Sequence, residues 1–504
     1  MTRPQGGIAA ILRAVPGACL SLSIGRCVRR SLGAALLLLG CSGSSEQNVQ
    51  LEIVSWWSSP SEHAALEEVE HAFEHAHPDA TVSLTQYGDK RQATDDVIRR
   101  MLQSDPPATF LVNTGADVFR WAPERVVSRE REHPGMQSRC LTRDLGPLFQ
   151  ELGLNRVLPK AVLNSVCPPG SASCEDGPRF AVPVNIHRLN TVYWNREKWE
   201  EFNARYPDGL TAELLCAQAA GEVDGLQLKL AIGINSDNFT LLLLALENLL
   251  PALLGTEFYN EFFHGKAIDD EARAGLTRVF ECTRNLVANA NDRAATWVKI
   301  VELVANGEAD LTIMGDWASG ELIGSLSGDS TGPPRVVAMP FPSDKPLFVF
   351  TSDTFPFPVR ARNPQEVRAL LTTIASPQVQ YNFSLKKGGI PARTDVGFGS
   401  EPHPCAVTAD DWQPNAPTDD PFRRLIERTQ RDFCDAKVEK VLATSGLLPY
   451  YYPMETVRDA FSEMVRPNAG PRAVDDLIDT LDDFQALVRD WNATLAAPEA
   501  ICPP

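Results

Sequence analysis

The chain has 504 residues, of which 43% are hydrophobic and 22% charged. That balance is globular: it excludes a fibrous or disordered polypeptide, and the length excludes a small disulfide scaffold. Sixty-five acidic residues oppose 47 basic ones, a formal charge of −18, so the protein's own field opposes phosphate backbones and anionic lipid, and nucleic acid is not an expected partner.

Residues 1–40 carry Arg3, Arg13, Arg26, Arg29 and Arg30, no acidic residue, and the apolar run Leu32 to Leu39. This is the pattern of an export signal, too short to span a bilayer, which needs about 20 apolar residues. Leu38-Leu39-Gly40-Cys41 resembles the bacterial lipobox, which implies cleavage before Cys41 and lipid attachment to its sulfur. Residues 41–50 then read as a tether, and the mature chain is expected at the cell envelope, on the periplasmic or outer face of a membrane. Eight cysteines follow, at 140, 167, 174, 216, 282, 405, 434 and 502. An even number behind an export signal predicts disulfides; Cys167 and Cys174 are near enough in sequence to close a local loop, and the other pairings stay open. No C-x2-C spacing occurs, so neither a structural metal nor a cofactor is expected.

Leu51 to Ser55 alternates as an opening strand, broken by Trp56-Trp57-Ser58-Ser59-Pro60. A helix follows, with Ser61 as the expected N-cap and Ala65, Leu66, Val69, Ala72 and Phe73 at helical spacing up to His77-Pro78. Thr81 to Thr85 reads as a strand, Asp95 to Leu102 as a helix and Thr109 to Val112 as a buried strand, an alternation that predicts parallel pairing and an α/β layered domain. The pattern weakens from 125 to 182, then Phe180 to Val184 restores a strand. Helical patterns dominate from Thr211 to Phe280, where Leu241 to Leu246 reads as a buried stretch too short to cross a membrane. Ala309 to Met314 and Phe348 to Phe350 read as strands, Pro364 to Ile374 as a helix, and Ala473 to Leu487 as an amphipathic tail.

Several motifs follow one another in an order that resembles the family 1 extracellular solute-binding proteins of ABC importers, especially the glucose and oligosaccharide binders. They are Trp56-Trp57 after the first strand, Phe73 with His77-Pro78, Pro183-Val-Asn-Ile-His-Arg-Leu-Asn190 with Tyr193-Trp194-Asn195, Ile313-Met-Gly-Asp-Trp-Ala318, Pro340-Phe-Pro342, Ser376-Pro-x-Val-Gln380, and Lys387-Gly-Gly-Ile-Pro-Ala-Arg393 with Asp395. The chain departs from the family at Ser343-Asp344, after Pro342, and at Gly389, where Ser is usual. The resemblance implies a two-lobed α/β fold of the periplasmic-binding type: residues 51–182 and 350–390 in one lobe, 183–349 and 391–492 in the other. It implies a monomeric, non-enzymatic protein that closes like a flytrap on a neutral sugar and delivers it to a membrane permease.

A sugar offers hydroxyls that both donate and accept, on a ring with apolar C–H patches. Indole faces suit the patches, and carboxylates, amides and ammonium groups suit the hydroxyls. Trp56, Trp57, Glu62, Asp316 and Trp317 carry this chemistry. Adjacent tryptophans at a strand end cannot both enter the core, and Trp56 is nearer the carboxyl end, where open α/β sheets bind ligands. Asp316 reads either as a cleft carboxylate or as a helix N-cap. Lys387, Lys90, Asn113, Asp117 and Tyr451 complete the candidate set. Two enzymatic readings compete. His71-Ala-Phe-Glu-His75 fits the H-x-x-E-H zinc-hydrolase pattern, with His71, Glu74 and His75 as its groups, and a secreted glycoside hydrolase would also combine Trp with paired carboxylates.

Overall fold

In a computed structural model of the protein, the described residues are 48–113, 141–167, 177–225, 227–233, 239–290, 296–327, 334–343, 347–398, 420–438, 442–447 and 454–495. The chain opens with β1 (Val49–Ser55), α1 (Pro60–Ala76), β2 (Ala80–Gln86), α2 (Lys90–Leu102), β3 (Thr109–Phe110) and β4 (Val112–Asn113). β1 pairs in parallel with β2 and β3, as the strand–helix alternation predicts. The helix starts differ from expectation. Pro60 occupies the first turn of α1, where its missing N–H costs nothing, and Ser59 in extended backbone caps it, not Ser61. Asp89 caps α2 by accepting from Gln92 N, so that helix begins at Lys90, before the apolar periodicity becomes visible. Expected as one strand, 109–112 is two: Phe110 pairs with β1, whereas Val112 and Asn113 turn to another sheet.

After α3 (Gly146–Glu151), α4 (Leu154–Val157) and α5 (Lys160–Ser165) come β5 (Ala181–Pro183), β6 (Asn185–Arg188), β7 (Thr191–Asn195), α6 (Arg196–Arg205) and α7 (Ala212–Ala219). A continuous helical stretch then runs through α8 (Phe239–Leu242), a π-helical segment Leu243–Leu249, and α9 (Leu250–Phe262). At 24 residues it is long and apolar enough to cross a membrane, contrary to the short run read from the sequence. Here 67% of its apolar window is buried by the rest of the protein, and Gly255, at φ 88°, kinks it. α10 (Asp270–Ala288), α11 (Trp297–Ala305), β8 (Leu311–Met314), α12 (Ala318–Glu321), α13 (Ile323–Ser327) and β9 (Val336–Pro340) follow. The Cys216–Cys282 disulfide joins α7 to α10 across 66 residues of sequence, and Cys167 and Cys434 are also disulfide-bonded. Cys174 lies outside the described residues. The last elements are β10 (Phe348–Thr351), β11 (Asp353–Pro356), α14 (Pro364–Ile374), α15 (Pro377–Lys387), β12 (Ile390–Pro391), α16 (Pro421–Val438), β13 (Leu442–Thr444), α17 (Glu455–Met464) and α18 (Ala473–Leu495).

Two large hydrophobic cores, with a smaller cluster of Val54, Val97, Ile98, Met101, Phe110 and Val112, organise these elements. One gathers residues between Leu51 and Val184 and between Phe355 and Ala392. The other gathers Ile186 to Phe350, Ile390 and Phe398 to Val488, with Val162. The chain changes core where two antiparallel strand pairs meet end to end: β5 with β11, and β6 with β10. Val184 and Ser352 are the joints. β12 lies beside them, Ile390 opposite Ile186.

Candidate ligand-binding site

The turn from β1 into α1 sets the first wall. Glu62, third residue of α1, completes a capping box: its Oε2 accepts from Ser58 N and Ser59 N, both at 3.1 Å. Lys387, the last residue of α15, donates to Glu62 Oε1 at 3.1 Å, with both side chains buried. The same ammonium lies 4.6 Å from the centre of the Trp57 ring. Trp57 is 3% exposed and packs 5.9 Å from Phe383 in the first core, so of the two tryptophans it is the one turned inward. Trp56 is half-buried, with the Lys90 ammonium 4.9 Å from its ring centre. Lys90 also donates to Asn113 Oδ1 at 2.9 Å.

The second wall follows β8. Asp316 is buried, and its Oδ2 accepts from Arg188 N at 2.9 Å; it is a receiver of hydrogen bonds from β6 rather than the side-chain cap of α12. The Trp317 ring folds over the Gly315 backbone, where a β-carbon would stand 2.0 Å from it. It meets the His187 ring edge to face at 5.5 Å.

Between the walls runs a chain of polar groups. Asn113 Nδ2 donates to Asp353 Oδ1 at 3.0 Å, and Asn185 Nδ2 to Asp353 Oδ2 at 2.9 Å. Asp353 Oδ2 lies 3.0 Å from His187 Nε2, and His187 Nδ1 lies 2.5 Å from Asp316 Oδ1. Ser352 Oγ donates to Asn185 O at 2.6 Å, and Asp353 N to Asn185 Oδ1 at 3.0 Å, locking the two strand joints to each other. Burial alone would lower the basicity of His187, but the two carboxylates outweigh it and raise its pKa to about 9. Burial also dominates at Asp316, whose pKa rises; at Asp353 the imidazole and Lys387 overcome burial and hold the carboxyl below its usual range.

Of the residues expected from the sequence, Trp56, Trp57, Glu62, Lys90 and Asn113 thus come together on one side of the strand joints, Asp316 and Trp317 on the other, with Lys387 between. Asp117, Tyr451 and Cys41 lie outside the described residues. His187, Asn185 and Asp353 were missed. The signal was present in Asn185 and His187, polar residues two apart and so on one face of a strand. In the zinc pattern, Glu74 Oε1 accepts from Val82 N at 2.9 Å, tying α1 to β2, while His71 and His75 are exposed. Among the described residues no three His, Cys, Asp or Glu side chains gather as metal ligands.

The model of the family described as bacterial extracellular solute-binding protein matches residues 69–404. A relative in Rhizobium meliloti, named "Probable sugar-binding periplasmic protein", is 26% identical over 473 residues, covering 93% of this chain and 95% of its own. Among solved structures, a chitin oligosaccharide binding protein superposes with a TM-score of 0.63 at 16% identity, and the solute receptor AcbH, with a stated preference for β-D-galactopyranose, with 0.61 at 15%. Each superposition covers 88% of this chain and 100% of the other, which establishes the two-lobed periplasmic-binding fold. With well over half its length matched by the family model, the chain belongs to the bacterial extracellular solute-binding proteins.

Proposed function

We propose that the protein captures a neutral sugar between two lobes and hands it unaltered to the permease of an ABC importer. What supports this reading is the polar chain from Lys90 and Asn113 through Asp353 and His187 to Asp316, at the joints where the chain passes between its two large cores, with the half-buried Trp56 at one end and the buried Trp317 at the other. Indole faces suit the C–H patches of a pyranose, and fixed donors and acceptors suit its hydroxyls. The sugar-binding names of the relatives support the same ligand class. We assign residues 51–182 and 350–390 to one lobe and 183–349 and 391–492 to the other, with closure about the strand joints as the signal read by the permease. Residues 1–40 act as the export signal, Cys41 as the lipidated residue and 41–50 as the tether; the mature chain works as a monomer and catalyses nothing.

A thermal-shift and calorimetric panel of D-galactose, D-glucose, D-xylose, maltose, raffinose and chitobiose tests the reading, with a reducing-end assay on the same mixtures. Binding of at least one sugar with no new reducing ends is expected. New reducing ends would replace this reading with the hydrolase.

A further inference from the structure

His187 is 1% exposed, and its two ring nitrogens face carboxylates from two distant segments: Nδ1 lies 2.5 Å from Asp316, in the turn after β8, and Nε2 lies 3.0 Å from Asp353, at the start of β11, with Asn185 Nδ2 2.8 Å from the same Nε2. A neutral imidazole has a single N–H. It satisfies one carboxylate and turns a lone pair toward the other, which is costly in a dry interior. Around the ring stand Asp316, Asp353, Lys387, which acts on both aspartates, and Arg188 of β6 itself. Behind them, Glu62 pairs with Lys387, Asp432 with Arg188, Lys90 reaches Asp353 through Asn113, and the neutral Tyr193 hydroxyl faces the Asp316 turn. Arg428 also acts on Arg188, so four carboxylates face four fixed cations, and what favours a doubly protonated His187 is the pair of aspartates set against its ring nitrogens.

We propose that His187 is a positioning residue that couples the Trp56 wall to the Trp317 wall of the sugar site, a proposal that rests on the sugar-binding reading above. On one side it fixes Asp316 and touches the Trp317 ring. On the other it fixes Asp353, which holds Asn113, which holds Lys90 over Trp56. Trp56 stands at the far end of this relay, so a change in the ring reaches it through hydrogen bonds and, last, the contact of the Lys90 ammonium with the indole. Room for the ring depends on Gly389: a β-carbon there would stand 2.7 Å from His187 Nδ1 and 2.8 Å from Ile186 O. Gly389 therefore lies directly against the ring that the proposal depends on.

The test uses the full exported chain, 15N-labelled in histidine and tryptophan, with indole signals assigned by Trp56→Phe and Trp317→Phe. At pH 7.5 both His187 nitrogens are expected to be protonated. Raising the pH is expected to move the Trp56 and Trp317 indole signals together, with one shared midpoint near 9. His187→Gln should shift both signals at pH 7.5 and abolish that midpoint; Gly389→Ser, which displaces the ring without removing it, should shift both by less. A neutral ring whose Nε2 accepts from Asn185 Nδ2, 2.8 Å away, would overturn the proposal, as would movement of Trp317 alone. Calorimetry with the sugar panel adds a second readout: at least fivefold weaker binding at pH 9.5 than at 7.5 in the wild type, and no such change in His187→Gln. A wild-type chain that binds none of the panel contradicts the sugar reading, while the indole titration still decides the coupling.

Discussion

Asp316 and Asp353 flank an imidazole at the strand joints, whereas Glu247, fully buried in the π-helical segment of the second core, is held by neutral donors. Tyr259 Oη donates to Glu247 Oε2 at 2.5 Å, and Ser445 Oγ and Leu447 N to Oε1 at 2.8 and 2.7 Å. Burial raises the Glu247 pKa, and these hydrogen bonds recover only part of the cost, leaving it at about 7. At Asp353, equally buried, the imidazole and Lys387 reverse the sign. Depth alone therefore does not fix a carboxylate's behaviour: Asp353 is held below its usual range, whereas at Asp316 burial still outweighs the same imidazole and lysine. The charged cluster ties Asp316, after β8, to Asp353, at the start of β11, and the neutral one fastens residues 445–447 to the helical core.

Removing one member of the charged cluster should be the most damaging change. His187→Ala leaves two buried carboxylates facing each other and is expected to cost about 3–5 kcal/mol, read from denaturant unfolding at pH 6. Glu247→Ala, which removes the charge together with its burial penalty, should cost less at pH 8 than its loss of packing suggests. Equal costs for the two would erase the contrast.

The two clusters also differ in where pH acts on them. Both groups have folded-state pKa values above their ordinary ones, so each adds stability that is complete below the ordinary value and lost as pH rises through the folded one. For Glu247 the window runs from 4.5 to about 7, and for His187 from 6.5 to about 9. Each step amounts to roughly 3 kcal/mol at 1.36 kcal/mol per pKa unit. Glu247→Gln should flatten the lower step and His187→Gln the upper one in a pH series of unfolding curves; a single step unaffected by either variant would merge the clusters into one.

Smaller effects separate wall from scaffold. Trp56→Ala should weaken the bound sugar about tenfold, or roughly 1.4 kcal/mol, with the melting temperature nearly unchanged, because the ring is half-buried. Trp57→Ala should act the opposite way, lowering stability through a core cavity. Ser59→Ala should cost about 1 kcal/mol through loss of the α1 cap, with sugar affinity lowered only as far as Glu62 loses its footing.

Much of this was legible in the sequence where the signal is local. Pro364 to Ile374 forms a helix with those bounds, because Pro at its start and apolar residues at helical spacing leave little choice. The first parallel sheet follows from strand–helix alternation, and Lys387 meets Glu62 and the Trp57 ring. The α2 start was hidden because its first turn is polar and depends on a single cap, Asp89. The His187 contacts were hidden for another reason: its partners lie 129 and 166 residues away in sequence, and the pairing of Lys387 with Glu62 spans 325. The strand joints bring the His187 partners together, and the packing of α15 on α1 pairs Lys387 with Glu62.

Titration calorimetry of the purified wild-type chain and Trp56→Ala against the sugar panel tests the central claim most directly. The account predicts one-to-one binding of at least one uncharged saccharide, weakened about tenfold in the variant. Absence of heat with every saccharide, or an affinity indifferent to the loss of the Trp56 ring, would contradict it.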